Sequence, residues 1–202
     1  MPKINLKSTG RAAAALAAIV SITVGGYVSL PSGYRVHDDT ALAIRYLTGP
    51  WEGRRLVAYL DTLPNPDRWT ICDGDTTDVK PGQVETDAGC DKRVAVKMER
   101  DYRPRLVACV SDWDKHPLGW RGAMLDLSWN IGTGATCNST AVQVVKTAVR
   151  LRKVPDYKAS CGYATLYVRS GGKTYDGLVK RRGMGDRTRI GDGEMCVTGV
   201  GS

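Results

Sequence analysis

Phenylalanine is absent from this 202-residue sequence, and histidine occurs only as His37 and His116. Without Phe, aromatic packing falls to five Trp and nine Tyr, whose N–H and O–H groups each want a partner when buried. The six cysteines, Cys72, Cys90, Cys109, Cys137, Cys161 and Cys196, form no Cys-x-x-Cys pair. With two histidines and no such pair, the chain lacks the usual ligand spacings of a zinc site, and no metal or other cofactor is expected. Internal repeats and low-complexity tracts are missing too. A chain of this length with 42% apolar residues therefore reads as one compact domain plus an appendage. No helix-turn-helix, ribonucleoprotein motif or basic-aromatic interleaving accompanies the net charge of +8 and pI near 9.3, so nucleic acid is not the expected partner. Anionic lipid or bacterial cell wall would suit that charge; so would a plain solvated basic face that aids solubility.

Charge is also missing from Ala12 to Leu30, nineteen residues that follow a start carrying only Lys3, Lys7 and Arg11. The run has the length of a membrane-spanning helix, since about 20 residues cross the hydrocarbon. Its positive flank would stay cytoplasmic and send the rest outward. Eleven of the nineteen are Ala, Gly, Ser or Thr, so insertion would be marginal. A permanent anchor would hold more Leu, Ile and Val. A cleaved signal peptide would want a better cut site than Ser29-Leu30-Pro31-Ser32. Pro31-Ser32-Gly33 then breaks the helix as a short linker, giving segments 1–33 and 34–202.

The remainder alternates two textures. Asp38-Asp39-Thr40 caps a helix that ends near Gly49-Pro50. From Leu56 to about Val79, short β-branched and aromatic runs lie between turn residues, which predicts a small antiparallel sheet. Beyond residue 85 the periodicity is helical. Val94, Met98, Leu106, Cys109 and Val110 mark one or two helices interrupted at Pro104, and Trp120, Ala123, Met124, Leu127 and Ile131 mark a buried one. Ala141–Leu151 and Tyr157–Tyr167 complete a mainly helical lobe.

Glu52 and Asp61 stand nine residues apart around a segment with strand character, too far for one helix face but suited to two walls of a cleft. Two carboxyls in different environments are what glycosidic cleavage requires, one protonated to donate to the leaving oxygen and one ionised to act on water or sugar. An arbitrary acidic pair is more often a solvated couple. Here the pair stands in context: Glu52, eight intervening residues, Asp61, then Thr70-Ile71-Cys72-Asp73-Gly74, resembles the Glu/Asp/Thr signature of phage-type lysozymes, glycoside hydrolase family 24. The Asp61-to-Thr70 spacing is three residues longer than that pattern, with the excess in the turn-rich Thr62-Leu63-Pro64-Asn65-Pro66-Asp67. Asp75 stands where relatives often carry His, which leaves Asp73 and Asp75 as spare acids near the cleft.

Trp129-Asn130-Ile131-Gly132-Thr133-Gly134 resembles the family's Asn-x-Gly-x-Gly, and equally reads as a plain helix stop. Gly177-Leu178-Val179-Lys180-Arg181-Arg182 resembles its Gly-Leu-x-x-Arg-Arg, where an arginine sits beside the catalytic Glu; the alternative is two exposed cations. Ala12–Leu30 resembles the signal-anchor-release element of a subset of phage endolysins, which tethers the enzyme inactive in the host inner membrane and later lets it into the periplasm. The resemblance implies an α+β, lysozyme-like fold with a small antiparallel sheet and a mainly helical lobe, preceded by one N-terminal transmembrane helix. It implies a monomeric muramidase cutting the bond between N-acetylmuramic acid and N-acetylglucosamine in peptidoglycan. Glu52 would be the general acid, its pKa raised by partial burial near Trp51, with Asp61 and Thr70 orienting water in an inverting reaction. Arg181 and Asn130 would play supporting parts. A lytic transglycosylase needs no water-orienting Asp61, and a non-catalytic wall-binding protein needs none of the three residues; both are the alternatives.

An outward-directed chain permits disulfides. Six cysteines allow 15 connectivities, and nearest-neighbour pairing, Cys72–Cys90, Cys109–Cys137 and Cys161–Cys196, joins adjacent elements. Because residues 12–30 contain no Cys, activation by a thiol released from the membrane, used in one branch of such endolysins, is excluded.

Overall fold

The computed structural model describes residues 4–62 and 66–201. It opens on helix α1, Gly10–Ile22, started by the Thr9 hydroxyl accepting from the Ala12 amide. A turn through Gly25 (φ 58°) and Gly26 (φ 83°) leads into an antiparallel hairpin of β1, Tyr27–Ser29, and β2, Arg35–His37. Side chains rarely tolerate that left-handed backbone, so the glycine pair permits the reversal. In this folded form residues 12–30 are not one continuous helix: α1 has 13 residues, and among the described residues no helix is long and apolar enough to cross a membrane. Pro31-Ser32-Gly33 is the tip of that hairpin, closed by the Gly33 amide donating to the Leu30 carbonyl at 2.8 Å.

Helix α2, Asp38–Leu42, continues through a wider π-helical stretch, Ala43–Thr48, into α3, Gly49–Trp51. The helix thus runs past Gly49-Pro50 and ends at Trp51. Asp38 and Asp39 lie within the first turn of α2 instead of capping it. Asp39 is fully buried, taking bonds from Arg103, Arg121 and the Trp113 indole. Next comes the expected hairpin, β3, Arg55–Asp61, against β4, Arg68–Cys72, extended by a bridge between Val57 and Val84. Of the turn string between them, residues 63–65 lie outside the described part.

Helix α4, Asp87–Lys97, passes through a π-helical turn, Met98–Tyr102, into α5, Arg103–Cys109, with Pro104 in the first turn of α5, where it is tolerated. The helical lobe is built around α6, Leu118–Ile131, buried continuously from Gly119 to Ser128. Around it lie α7, Thr133–Asn138, α8, Thr140–Arg150, α9, Tyr157–Ala164, α10, Asp176–Arg182, and α11, Asp192–Gly199. A small hairpin of β5, Arg169–Ser170, and β6, Lys173–Thr174, precedes α10. Helices α6 and α11 pack backbone to backbone at Gly119 and Gly199; a Cβ on Gly119 would sit 2.6 Å from the Met195 carbonyl oxygen.

Two apolar clusters result among the described residues. The larger belongs to the helical lobe and includes Ala12, Ala15, Ile19, Val28 and Leu30 alongside Leu42, Leu47, Trp120 and Met124. The smaller lies in the β3–β4 lobe and consists of Ala58, Ile71, Cys72 and Cys90. Three disulfides, Cys72–Cys90, Cys109–Cys137 and Cys161–Cys196, tie β4 to α4, α5 to α7 and α9 to α11.

Candidate active site

Glu52 is the residue at which α3 stops and the chain turns extended (ψ 136°) toward β3. That places its carboxyl between the two lobes, three-quarters covered, with the Arg181 guanidinium donating to Oε1 at 2.7 Å. Arg181 is itself buried on α10 and is held from behind by Asp126, to which Nε and Nη2 donate at 3.1 and 2.7 Å. The fully buried Asp126 also accepts from the Thr48 hydroxyl at 2.7 Å and from Arg182 Nη1 at 2.9 Å, and Arg182 in turn contacts Asp192. Arg181 and Arg182 are therefore not exposed cations. One reaches Glu52 and the other anchors the network to α11.

Burial pushes the Glu52 carboxyl above the ordinary range for a glutamate; Arg181 opposes the shift, while Asp126 and Asp73 add to it. Arg181 is thus a brake on that rise as well as a support. Asp126 titrates below the usual carboxylate range: its desolvation is outweighed by the two arginines. Asp192, equally buried, is raised by desolvation and by Asp126, so the two carboxyls of this network shift in opposite directions.

Asp61 ends β3 on the opposite lobe, paired in register with Arg68, and Thr70 on β4 pairs with Tyr59. Residues opposite one another share a face and alternate positions return to it, so Asp61 and Thr70 occupy one face of the hairpin as diagonal neighbours. The longer spacing is absorbed between the strands without moving Thr70 off that face. Thr70 is buried, and its hydroxyl donates to the Arg68 carbonyl at 3.2 Å. The spare acids are not spare. Asp73 receives the Arg54 guanidinium at 2.7 Å, and Asp75 receives Arg93 at 2.8 Å and Lys97 at 3.3 Å. Those partners hold Asp75 below its ordinary pKa against its desolvation.

Asn130 lies in the last turn of α6, exposed, and its amide donates back to the Asp126 carbonyl at 3.1 Å. Gly132 follows as the helix stop with φ 83°, while Gly134 falls inside α7. Beside Glu52, Trp51, Tyr175, Leu178 and Arg181 line a cavity of about 510 Å³. Trp51 is fixed there by donating to the Ile190 carbonyl at 2.8 Å, with Arg189 over its ring at 3.8 Å. Reading the sequence missed Asp126, although a lone carboxylate in the apolar string Leu125-Asp126-Leu127-Ser128 was the signal: a buried charge on such a face must have a partner.

A carboxyl whose pKa is raised by burial, with a second carboxyl at the end of the hairpin strand that follows it, supplies the pair of groups that a glycosidase uses. Comparison with known proteins agrees. The phage lysozyme family model matches residues 49–184, which include Glu52, Asp61, Thr70, Asp126, Asn130, Arg181 and Arg182. The chain is 27% identical over 166 residues to the "SAR-endolysin" of Enterobacteria phage P21, covering 79% of this chain and 88% of that protein. A SAR-endolysin of bacteriophage PS119 is likewise 27% identical, over 70% of this chain and 81% of its own length. Among solved structures, the active form of P1 phage endolysin Lyz shares the fold along 99% of this chain and 98% of its own, with a TM-score of 0.54 and 20% identity. A P22 lysozyme variant covers 72% and 90%, with a TM-score of 0.55 and 23% identity. With the family pattern laid over the acid, the hairpin and the arginine behind them, this chain belongs to the phage lysozyme family.

Proposed function

We propose that this glycoside hydrolase, a phage endolysin, cuts the muramic-acid-to-glucosamine bond of peptidoglycan with Glu52 as general acid, and that Asp61 and Thr70 orient the attacking water. The observation that carries the assignment is Glu52 itself: a carboxyl at a helix end between two lobes, its pKa raised by burial, fixed by one guanidinium that is fixed in turn by Asp126. A carboxyl that keeps its proton to higher pH because of burial is the better placed to donate to the leaving oxygen. Arg181 positions it, and Asp126 positions Arg181. Asp61 works from the facing hairpin, with an inverting outcome.

The tethering reading belongs to the same proposal. Residues 12–30 would first lie in the host inner membrane as a signal anchor and afterwards, in the periplasm, take the helix-and-hairpin form described above. What supports this is composition: Ala12, Ala15 and Ile19 suit close packing against protein, and the segment as a whole is only marginally apolar. In this reading the enzyme acts as a monomer on glycan strands.

The test uses the full-length, oxidised protein on outer-membrane-permeabilised cells. Glu52→Gln should abolish lysis while leaving the fold intact, because losing general acid catalysis costs about 10²–10⁴-fold. Residual activity above roughly a hundredth of the parent's would remove Glu52 from that role. Digested glycan should carry reducing ends; anhydro ends would show transglycosylation instead.

A further inference from the structure

The corner between α8 and α9 has a surface unlike the rest of the lobe. Residues 150–154, Arg150-Leu151-Arg152-Lys153-Val154, are all exposed, Leu151 by 55% and Val154 by 92%. The corner is nonetheless closed by backbone hydrogen bonds. The Arg152 amide donates to the Val149 carbonyl and the Lys153 amide to the Ala148 carbonyl, both at 2.9 Å, the bond pattern that closes a helix with one left-handed residue. That residue is ordinarily glycine. Here it is Arg152, at φ 54°.

A side chain placed where a glycine would be easier, next to two bare aliphatic residues, is not accounted for by folding. Cations at a helix C-terminus do complement its dipole, and that explains Arg150 and Lys153 in part. It does not explain Leu151 and Val154 turned to solvent. Among the described residues none of the three cations makes an ion pair, and Asp156, the nearest acid, is occupied capping α9 through the Ala159 amide at 2.9 Å. Lys146 on α8, partly exposed, and Lys158 on α9, exposed, flank the corner in the sequence.

We propose that residues 150–154 form a membrane-surface contact that docks onto anionic phospholipid headgroups, the three cations resting among the phosphates and Leu151 and Val154 dipping into the boundary below them. A soluble polyanion would engage the cations but has no use for the aliphatic pair. A bilayer surface takes both together, charge attraction and apolar burial adding up in interfacial binding. The site is separate from the cleft and does not depend on the catalytic assignment.

The experiment is sedimentation of the full-length protein with phosphatidylcholine vesicles, with and without phosphatidylglycerol. Each cation near such a surface contributes about fivefold, so R150Q/R152G/K153Q should bind the anionic vesicles on the order of 100-fold less tightly. R152G suits its backbone, so the variant should melt no lower than the parent. L151S/V154S should weaken binding at low salt and remove the part that survives high salt, because only the charge term is screened. A control with three other exposed cations removed, R105Q/K173Q/R187Q, should stay within about threefold of the parent. An equal loss in the control would reduce the effect to net charge and overturn the proposal. So would parent-like binding by R150Q/R152G/K153Q, which would place the contact elsewhere, residues 10–30 included, or salt-labile binding that ignores L151S/V154S.

Discussion

Glu52 is asked to do two things that conflict: to hold a proton for catalysis and to sit beside a buried guanidinium that favours its charge. The conflict is decided by desolvation, and this fixes the sign of a stability effect. A carboxyl whose folded pKa lies above its unfolded value contributes stability below the unfolded pKa and loses it as the pH rises through the folded one. Burial therefore makes ionisation of Glu52 cost the folded parent stability as the pH rises. Glu52→Gln, inactive in lysis, should melt higher than the parent at pH 7, and the gap should close below about pH 4, where the unfolded carboxyl is protonated too. A gap that widened in acid would mean that the Arg181 pair outweighs burial. Asp126 should behave in the opposite sense, since its folded pKa is depressed: its contribution is present above the unfolded pKa and fades as the pH falls. Asp126→Asn leaves two buried arginines short of counter-charge and should cost about 3–5 kcal/mol in denaturant titrations. The sequence pointed to the contact between Glu52 and Arg181 because both sit in motifs with fixed spacing. It did not carry Asp126, whose meaning comes from three elements, the π-helical Thr48, α6 and α10, converging on one oxygen pair.

At the scale of elements, the hairpin, α6 and α8 were legible because each pattern has one physical solution: turn residues around short β-branched runs, or an apolar stripe at helical spacing. Residues 12–30 were not, because Ala, Gly, Ser and Thr satisfy two environments. Small residues make a poor membrane span, and they also let a helix approach α2 and α11 closely. The sequence shows that the run lacks charge; it does not show that Gly25 and Gly26 take the positive φ that ends the helix and reverses the chain. A further consequence concerns the boundary at residue 34. Ile19, Val28 and Leu30 are each at most 5% exposed, so removing them uncovers apolar surface worth roughly 5–9 kcal/mol together. That is comparable with the whole stability of an ordinary domain. A chain beginning at Tyr34 should therefore show a lost or non-cooperative melt and little lysis, although every candidate catalytic residue is present. Cooperative unfolding at the parent's midpoint would show that α1 and the first hairpin are dispensable.

For the whole molecule, the central prediction concerns how the N-terminal segment leaves the bilayer under the proposed topology. Each cation resists crossing a 100 mV potential by about 2.3 kcal/mol, so Lys3, Lys7 and Arg11 together hold the segment by roughly 7 kcal/mol while the membrane is energised. Once the potential falls, that hold is gone, and the folded protein offers Arg11 a place: Nε and Nη2 donate to the buried Glu194 at 2.6 and 2.7 Å, and Thr9 joins them at 2.6 Å. Glu194→Gln should accordingly leave tethering unchanged but lower the lysis that follows an uncoupler, since the released segment loses its charged partner. The bilayer and folding contributions can be separated at four positions. Ser21 is exposed and Thr23 half-buried on the folded protein, so leucine at both should strengthen insertion without disturbing the fold. Leucine at Gly25 and Gly26 strengthens insertion and also forces a side chain into left-handed backbone, at about 1–2 kcal/mol per residue. After an uncoupler the parent should appear in the soluble periplasm at full length. The Ser21/Thr23 pair should remain with the membrane yet be active once extracted, and the Gly25/Gly26 pair should remain and also melt lower when extracted. A periplasmic chain lacking its first thirty or so residues would instead identify a cleaved signal peptide. The truncated product would then have to fold without the α1 surface that the full-length protein buries.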